Sequence, residues 1–306
     1  MTARAGFVAV IGAPNAGKST LTNRLVGAKV SIVTQKVQTT RFPVRGVAMA
    51  GEAQIVLVDT PGIFQPRRRL DRAMVRAAWG GADEADAIVH LVDAAAELGD
   101  KPADKKARID VETIVEGLKG AGKQAILALN KVDAVKREAL LDISKRLFDT
   151  GVYSEVFMIS AATGSGVEDL KKRLAELMPE NPWFYPEDQT ADLPARLLAA
   201  EITREKVYLR VHEELPYSAA VETTKFEERQ DGSVRIEQTI VVERDSQRPI
   251  VLGKGGQTLK WIGQKSREEL EVILDRKVHL FLHVAVDEKW ADKKEFYGSI
   301  GLEYDS

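Results

Sequence analysis

The feature that most constrains this 306-residue chain is a series of five short, unbroken apolar runs in its first 178 residues, each followed by a longer amphipathic stretch. "FVAVI" precedes a helix-like stretch from Lys18, "QIVLVD" one at 71–80, "DAIVHLVD" one at 104–119, "QAILALN" one at 136–148 and "EVFMIS" one at 167–177. Strands with one wet face would alternate polar and apolar residues. These do not, so they are expected to be parallel strands buried on both faces under crossover helices. The expected fold is an α/β, doubly wound, mainly parallel sheet, with sites at the carboxyl ends of its strands. The polar motifs fall there: after Ile11, at Asp59, at Asn130 and at Ser160.

Between Met178 and Pro194 the pattern dissolves into "PENPWFYPEDQTADLP", which holds four of the eleven prolines. A linker at 179–193 is expected, separating a domain at 1–178 from a smaller α+β domain at 194–306. The latter reads as a helix at about 194–212, then "YSAAVETTKFEER", a hairpin turn at Asp231-Gly232, "VRIEQTIVVER", an apolar strand or turn "IVL" entering the loop "GKGG", a helix, and a last strand "KVHLFLHVAVDE". The linker aromatics Trp183, Phe184 and Tyr185 are expected to pack between the domains.

No run of eighteen apolar residues is present, so neither a membrane span nor a signal peptide is expected, and the location reads as cytoplasmic. With no cysteine, disulfides, thiolate metal sites and cysteine nucleophiles are excluded. Residues 181–306 carry 18 basic against 24 acidic side chains, which argues against bulk attraction to nucleic acid. Residues 244–267 nonetheless hold six basic residues and one acid, a local patch around the second glycine loop.

"GAPNAGKS" fits G-x-x-x-x-G-K-[ST], follows a strand and opens a helix. Gly12 and Gly17 supply backbone freedom, and the loop of Gly12, Ala13, Pro14, Asn15, Ala16, Gly17, Lys18, Ser19 and Thr20 forms the expected phosphate cradle, its N–H groups pointing inward except at Pro14, which has none. Lys18 is expected to reach the β and γ oxygens and Ser19 to ligate Mg²⁺. Asp59, which opens "DTPG", is expected to orient a water on that ion, and the Gly62 amide to contact the γ-phosphate. In "QTTR", Thr40 is the first choice for a second metal hydroxyl, with Thr39 the alternative. "NKVD" selects guanine: Asp133 accepts from N1–H and the exocyclic amine, where adenine would leave the carboxylate unpaired. Lys131 would cover the base, Asn130 would tie this loop to the phosphate loop, and Ser160, Ala161 and Ala162 would close on the guanine oxygen.

These motifs, with "KVSIVTQKVQTTR", "VDTPG", "LNKVD", "ISAATG", "ELPYS" and the terminal hairpin, loop and helix, resemble the translation-factor class of P-loop GTPases, and within it the TrmE-Era-EngA-like group and its Era family, over the whole chain. The resemblance implies GTP hydrolysis coupled to small ribosomal subunit (30S) maturation, with Lys18, Asn15, Thr40 and Gly62 carrying catalysis. Where Ras-like enzymes have a water-positioning glutamine, Ile63 stands, so slow intrinsic turnover is expected. Asn15 matches the asparagine that some such GTPases use to bind K⁺. The second domain resembles a type II KH fold with Gly253, Lys254, Gly255 and Gly256 as its GxxG loop. The implied ligand is small-subunit (16S) ribosomal RNA near its 3′ end. Arg244, Arg248, Lys254, Lys260 and Lys265 are expected to contact it, over an apolar floor of Val251, Leu252 and Ile262. Nothing demands an oligomer, so a monomer is expected.

One rival is a signalling or cell-cycle GTPase whose KH-like domain contacts protein or the membrane surface, with peripheral association at the cytoplasmic face. A tRNA-modifying GTPase is a second, disfavoured because no modification domain or reactive cysteine is present. His279 and His283 read as a sheet pair rather than metal ligands. His90 reads as a satisfied buried histidine, Trp261 as helix packing with base stacking the alternative, and Arg67–Arg69 as a solvated run with an RNA or domain contact the alternative.

Overall fold

The computed structural model describes residues 3–34, 36, 39–211 and 218–304, which divide into two units, Met1–Asp192 and Leu193–Tyr304. Gln38 of "QTTR" and most of "ELPYS" lie outside the described residues.

In the first unit the order is β1 (Arg4–Ile11), α1 (Lys18–Val26), β2 (Val44–Ala50), β3 (Ala53–Asp59), α2 (Arg69–Glu84), β4 (Ala87–Asp93), α3 (Ala94–Leu98), α4 (Pro102–Gly120), β5 (Ala125–Asn130), α5 (Arg137–Phe148), β6 (Tyr153–Met158), α6 (Val167–Leu177) and β7 (Ala191–Asp192). The five apolar runs are β1, β3, β4, β5 and β6. They pair in parallel in the order β6-β5-β4-β1-β3. Alternate residues explain why the runs are unbroken. Ala9, Ile11, Ile88, Val92, Leu127 and Leu129 enter one core with α2, α4 and α5, while Val8, Val10, Val89, Leu91, Ile126 and Ala128 enter the other with α1 and α6.

Strand β2 extends the sheet beyond β3 and is antiparallel to it. It is absent from the sequence expectation because "VRGVAMA" exposes Arg45 and carries Gly46, where a Cβ would lie 2.8 Å from the Val26 side chain of α1. Residues 179–192 also belong to this unit. The buried Gln54 amide accepts from the Phe184 and Tyr185 N–H groups at 2.9 and 3.0 Å and donates to Tyr185 O at 2.8 Å. Phe184 packs on Phe7 with ring centroids 5.0 Å apart, Trp183 Nε1 donates to Glu52 O, and β7 pairs with β2. The linker aromatics are thus anchored on the first unit's own sheet.

The second unit runs α7 (Ala195–Arg210), β8 (Ala219–Glu228), β9 (Val234–Val242), α8 (Arg248–Leu252), α9 (Gln257–Leu274), β10 (Val278–Val286) and α10 (Lys294–Ser299). Its sheet order is β10-β9-β8, with β8 and β9 antiparallel and β9 and β10 parallel. Gly232 turns the hairpin at φ 80°, and the Asp231 carboxylate accepts from the Ser233 N–H and hydroxyl at 2.9 and 2.6 Å. The "IVL" segment is helical rather than a strand. Pro249 sits in the first turn of α8, where its missing N–H costs nothing, and Gly253 ends the helix.

Candidate functional site

The phosphate loop leaves β1 at Gly12, whose φ is 156° and whose Cβ, if present, would lie 2.4 Å from Leu91 O. At Gly17 φ is 100°, and a Cβ would lie 2.4 Å from Asn130 Nδ2. Both motif glycines are therefore fixed by sterics as well as by backbone angle. Lys18 Nζ folds back onto Gly12 O at 3.1 Å and Ala13 O at 3.0 Å. Burial pulls its pKa down to about 8, against the charges of Asp59 and Asp110.

Ser19 Oγ and Thr40 Oγ1 lie 2.9 Å apart. Thr39 is engaged elsewhere: its hydroxyl meets Thr34 Oγ1 at 2.7 Å and donates to Lys36 O at 2.7 Å. Of the two threonines, Thr40 is the one brought to Ser19. Asp59 closes β3 fully buried, and among the described residues neither carboxylate oxygen meets a hydrogen-bond partner in good geometry, although the Ser19, Ser31 and Thr40 hydroxyls lie nearby. Burial raises its pKa, while nearby Ser19, Lys18, Ser31 and Thr40 pull it back. An orphaned buried carboxylate is costly unless a ligand completes it. Carboxylate and hydroxyl oxygens converging here are a hard donor set, suited to Mg²⁺.

"DTPG" packs on the phosphate loop. A Cβ on Gly62 would lie 2.9 Å from Pro14 N, and Ile63 N–H donates to Gly12 O at 3.1 Å. The Ile63 side chain is buried in the core shared with α2 and α4. Downstream, Asp71 accepts from the Arg67 and Arg68 N–H groups at 3.1 and 3.0 Å, and Arg67 and Arg68 are exposed.

At the other end, Asn130 Nδ2 donates to Ala16 O at 2.8 Å and its Oδ1 accepts from Ala161 N–H at 2.9 Å. One buried side chain thus joins the phosphate loop to the "SAA" loop. Lys131 adopts a left-handed φ of 64° and donates to Asn15 O at 3.0 Å. Asn15 itself is exposed at φ 62°. Asp133 is exposed in the short turn Val132–Ala134, and Ser160 Oγ accepts from Thr163 N–H at 3.2 Å. Two residues here were not anticipated. Arg24 of α1 donates to the carbonyls of Ala161 and Ala162, and Asp93 at the end of β4 contacts Lys131. Arg24 gives no sequence signal, whereas Asp93 lies at a strand's carboxyl end like the other motifs.

In the second unit Arg244, Arg248, Lys254, Lys260 and Lys265 are exposed. Gly253, Gly255 and Gly256 have φ of 73°, 59° and 77°. A Cβ on Gly253 would strike Thr258 Oγ1 at 2.3 Å, whereas Gly255 and Gly256 face open space. Val251 corrects the expectation: it is fully buried with Ile262 in the unit's core, so neither can touch an RNA. The exposed apolar residue of α8 is Ile250, at 53% exposure. Trp261 packs on the same core beneath the Arg210 guanidinium, 5.4 Å from its ring centroid. His283 is exposed and His279 half-buried on β10, flanking Phe281 under Arg235. His90 is buried with Nδ1 2.8 Å from the Tyr153 hydroxyl, and burial drops its pKa to about 3; among the described residues its Nε2 has no partner.

Residues 7–131 match the family described as 50S ribosome-binding GTPase, and residues 214–291 match the KH domain family. The GTPase Era of Caulobacter vibrioides is 73% identical over 99% of this chain and 97% of its own length. This chain belongs to the Era family. The Era of Maricaulis maris is 62% identical, over 99% and 98% of the two chains. Two solved Era structures share 38% identity and a TM-score of 0.88 with it. One, from Aquifex aeolicus bound to GDP and AlF4⁻, covers 97% of this chain and 99% of its own; the other, with MgGDPNP and nucleotides 1506–1542 of 16S ribosomal RNA, covers 98% and 99%. As an Era protein the chain is a GTPase, with a mainly parallel G domain followed by a KH domain.

Proposed function

We propose that this Era-family GTPase is a nucleotide-governed switch that binds small-subunit ribosomal RNA near its 3′ end and assists 30S maturation in the cytoplasm. The observation carrying the reading is the presence in one chain of two different glycine-rich loops. The first is braced by Lys18 and Asn130 and ends beside an unpartnered buried carboxylate. The second is glycine-rich and basic, with open space over Gly255 and Gly256 and no hydroxyl where Ser19 stands in the first. The first suits a metal-bound nucleotide and the second a sugar-phosphate backbone. The Era relative holding MgGDPNP and 16S ribosomal RNA supports both assignments.

Ser19, Thr40 and, through water, Asp59 would hold Mg²⁺, which when bound neutralises phosphate charge. Lys18, Gly62 and the loop amides position the terminal phosphate, and Asp133, Lys131 and the Ala161 and Ala162 backbone define the base. Asn15, exposed beside the phosphates, is the K⁺ ligand of the reading; equal turnover in K⁺ and Na⁺ buffers would remove that part. The RNA site comprises Gly253–Gly256 with Arg244, Arg248, Lys254, Lys260 and Lys265.

The decisive measurement is binding of a 16S 3′-end oligoribonucleotide to the full chain loaded with GDP or a GTP analogue. Indifference to both the RNA sequence and the nucleotide would refute the switch. No helix among the described residues is long and apolar enough to cross a membrane. The basic patch from Arg244 to Arg267 is also what a peripheral contact with an anionic cell-membrane surface would use. Competition between RNA and anionic vesicles separates these, and sedimentation tests the monomer.

A further inference from the structure

Asp93 closes β4, where its register partner on β5 is Asn130. Its carboxylate does two things at once. Oδ1 accepts from the Ala95 and Ala96 N–H groups at 3.0 and 3.2 Å, capping α3. Oδ2 lies 2.5 Å from Lys131 Nζ, which also donates to Asn15 O at 3.0 Å. The lysine ammonium is thus held from two sides, by a backbone carbonyl of the phosphate loop and by one carboxylate. Asp93 is itself on a braced element. Arg108 Nη1 donates to Ala96 O at 2.8 Å and Gly99 O at 2.7 Å, tying α3 to α4, and Arg146 of α5 pairs with Glu97.

A lysine side chain loses substantial rotamer entropy when fixed, so an unanchored Lys131 would spend time away from the base it covers. We propose that Asp93 is a positioning residue for guanine-nucleotide retention: by anchoring the Lys131 ammonium it keeps the lysine stem over the base and slows nucleotide release. The inference rests on the reading of Lys131 as the cover of the base. It gives the end of β4 a smaller part in nucleotide affinity beside those of the motifs at the ends of β1, β3 and β5.

The Asp93→Asn substitution isolates the effect, because asparagine caps a helix as well as aspartate does and removes only the charge facing Lys131. The pair is partly exposed, so its contribution is modest. GDP release from the full chain, followed with a fluorescent GDP chased by unlabelled GDP, should accelerate about two- to fivefold in Asp93→Asn. In a Lys131→Ala background the same substitution should change release by less than about twofold, since the partner is gone. Equal acceleration in both backgrounds would mean that Asp93 acts through α3 alone and would overturn the proposal. So would unchanged release in Asp93→Asn while Lys131→Ala accelerates it. If Lys131→Ala itself leaves release unchanged, the reading of Lys131 as base cover fails first and takes the proposal with it.

Discussion

Nucleotide binding should draw a proton onto Lys18, by an amount set by its burial. Without nucleotide the ammonium sits on the Gly12 and Ala13 carbonyls, out of water, with its pKa lowered to about 8. Phosphate oxygens brought beside it favour the charged form and should return it at least to the ordinary lysine value near 10.4. The bound state then holds more protons, so affinity falls as pH rises through 8. The free lysine is about half neutral at pH 8 and about a tenth neutral at pH 7, so GDP binding should take up about half a proton at the higher pH and about a tenth at the lower. Titration calorimetry in buffers of different ionisation enthalpy reads these numbers. EDTA keeps metal from Asp59, whose carboxyl burial pushes the other way. No uptake at pH 8 would mean that the buried lysine is already fully charged before the phosphates arrive, and equal uptake at both pH values would assign the proton to another group; either result refutes the argument.

Removing the Asn130 amide should hurt fold and affinity together. Asn130→Ala strands the Ala16 carbonyl and the Ala161 N–H in buried positions, at about 1–3 kcal/mol each, so chemical denaturation should show a loss of about 2–6 kcal/mol and GDP binding should weaken sharply. Asp110 accepts from the Gln65 N–H and is raised to about 6 by burial, with Lys106 and Lys18 opposing. The folded protein therefore holds its proton more tightly than the unfolded chain does, and stability is lost as pH rises from about 4 to about 6. Asp110→Asn should stabilise at pH 7 by on the order of 1–2 kcal/mol and leave pH 4 nearly unchanged, as thermal melts at the two pH values would report. In the glycine loop, Gly256→Asp should abolish RNA binding and cost about 1–2 kcal/mol, because a Cβ there meets nothing but the φ of 77° strains any side chain, whereas Gly253→Asp should destabilise the unit further by also clashing with Thr258.

What the sequence made legible was whatever a short motif or an unbroken apolar run encodes locally. The five parallel strands, both glycine loops and the Asp231-Gly232 hairpin are of this kind. What it hid depends on partners distant in the chain. Strand β2 exists because α1 can approach Gly46, and no periodicity in "VRGVAMA" reports that. Thr40 and Thr39 are adjacent and chemically equal, and what separates them is the contact of Thr40 with Ser19 and the engagement of Thr39 with Thr34 and Lys36. Val251 was expected on the RNA floor because it precedes the loop, but helical rather than extended geometry turns it into the core and leaves Ile250 exposed. Asp93 carried the same positional signal as Asn130, the polar residue closing a buried strand, and lacked only a motif around it.

The hydrogen bonds around the first glycine loop explain how four strand ends act as one site. Gly12 O accepts from Lys18 and from the Ile63 N–H after β3, Asn15 O accepts from Lys131 and Ala16 O from Asn130, both at the end of β5. A carbonyl and the N–H of the same trans peptide point in opposite directions. Drawing the Asn15 and Ala16 carbonyls toward the β5 end therefore turns the Ala16 and Gly17 N–H groups away from it. The base motif thus shapes the phosphate cradle, and "DTPG" grips the same loop from the β3 side through Gly62 and Ile63. A change in the segment after Asp59 reaches the loop through the Gly12 carbonyl, which also accepts from Lys18, and through the packing of Gly62 on Pro14. Loss of Asn130 or Asp93 should accordingly weaken affinity for nucleotide phosphates as well as for the base, because the loop that binds the phosphates is oriented by the residues that frame the guanine.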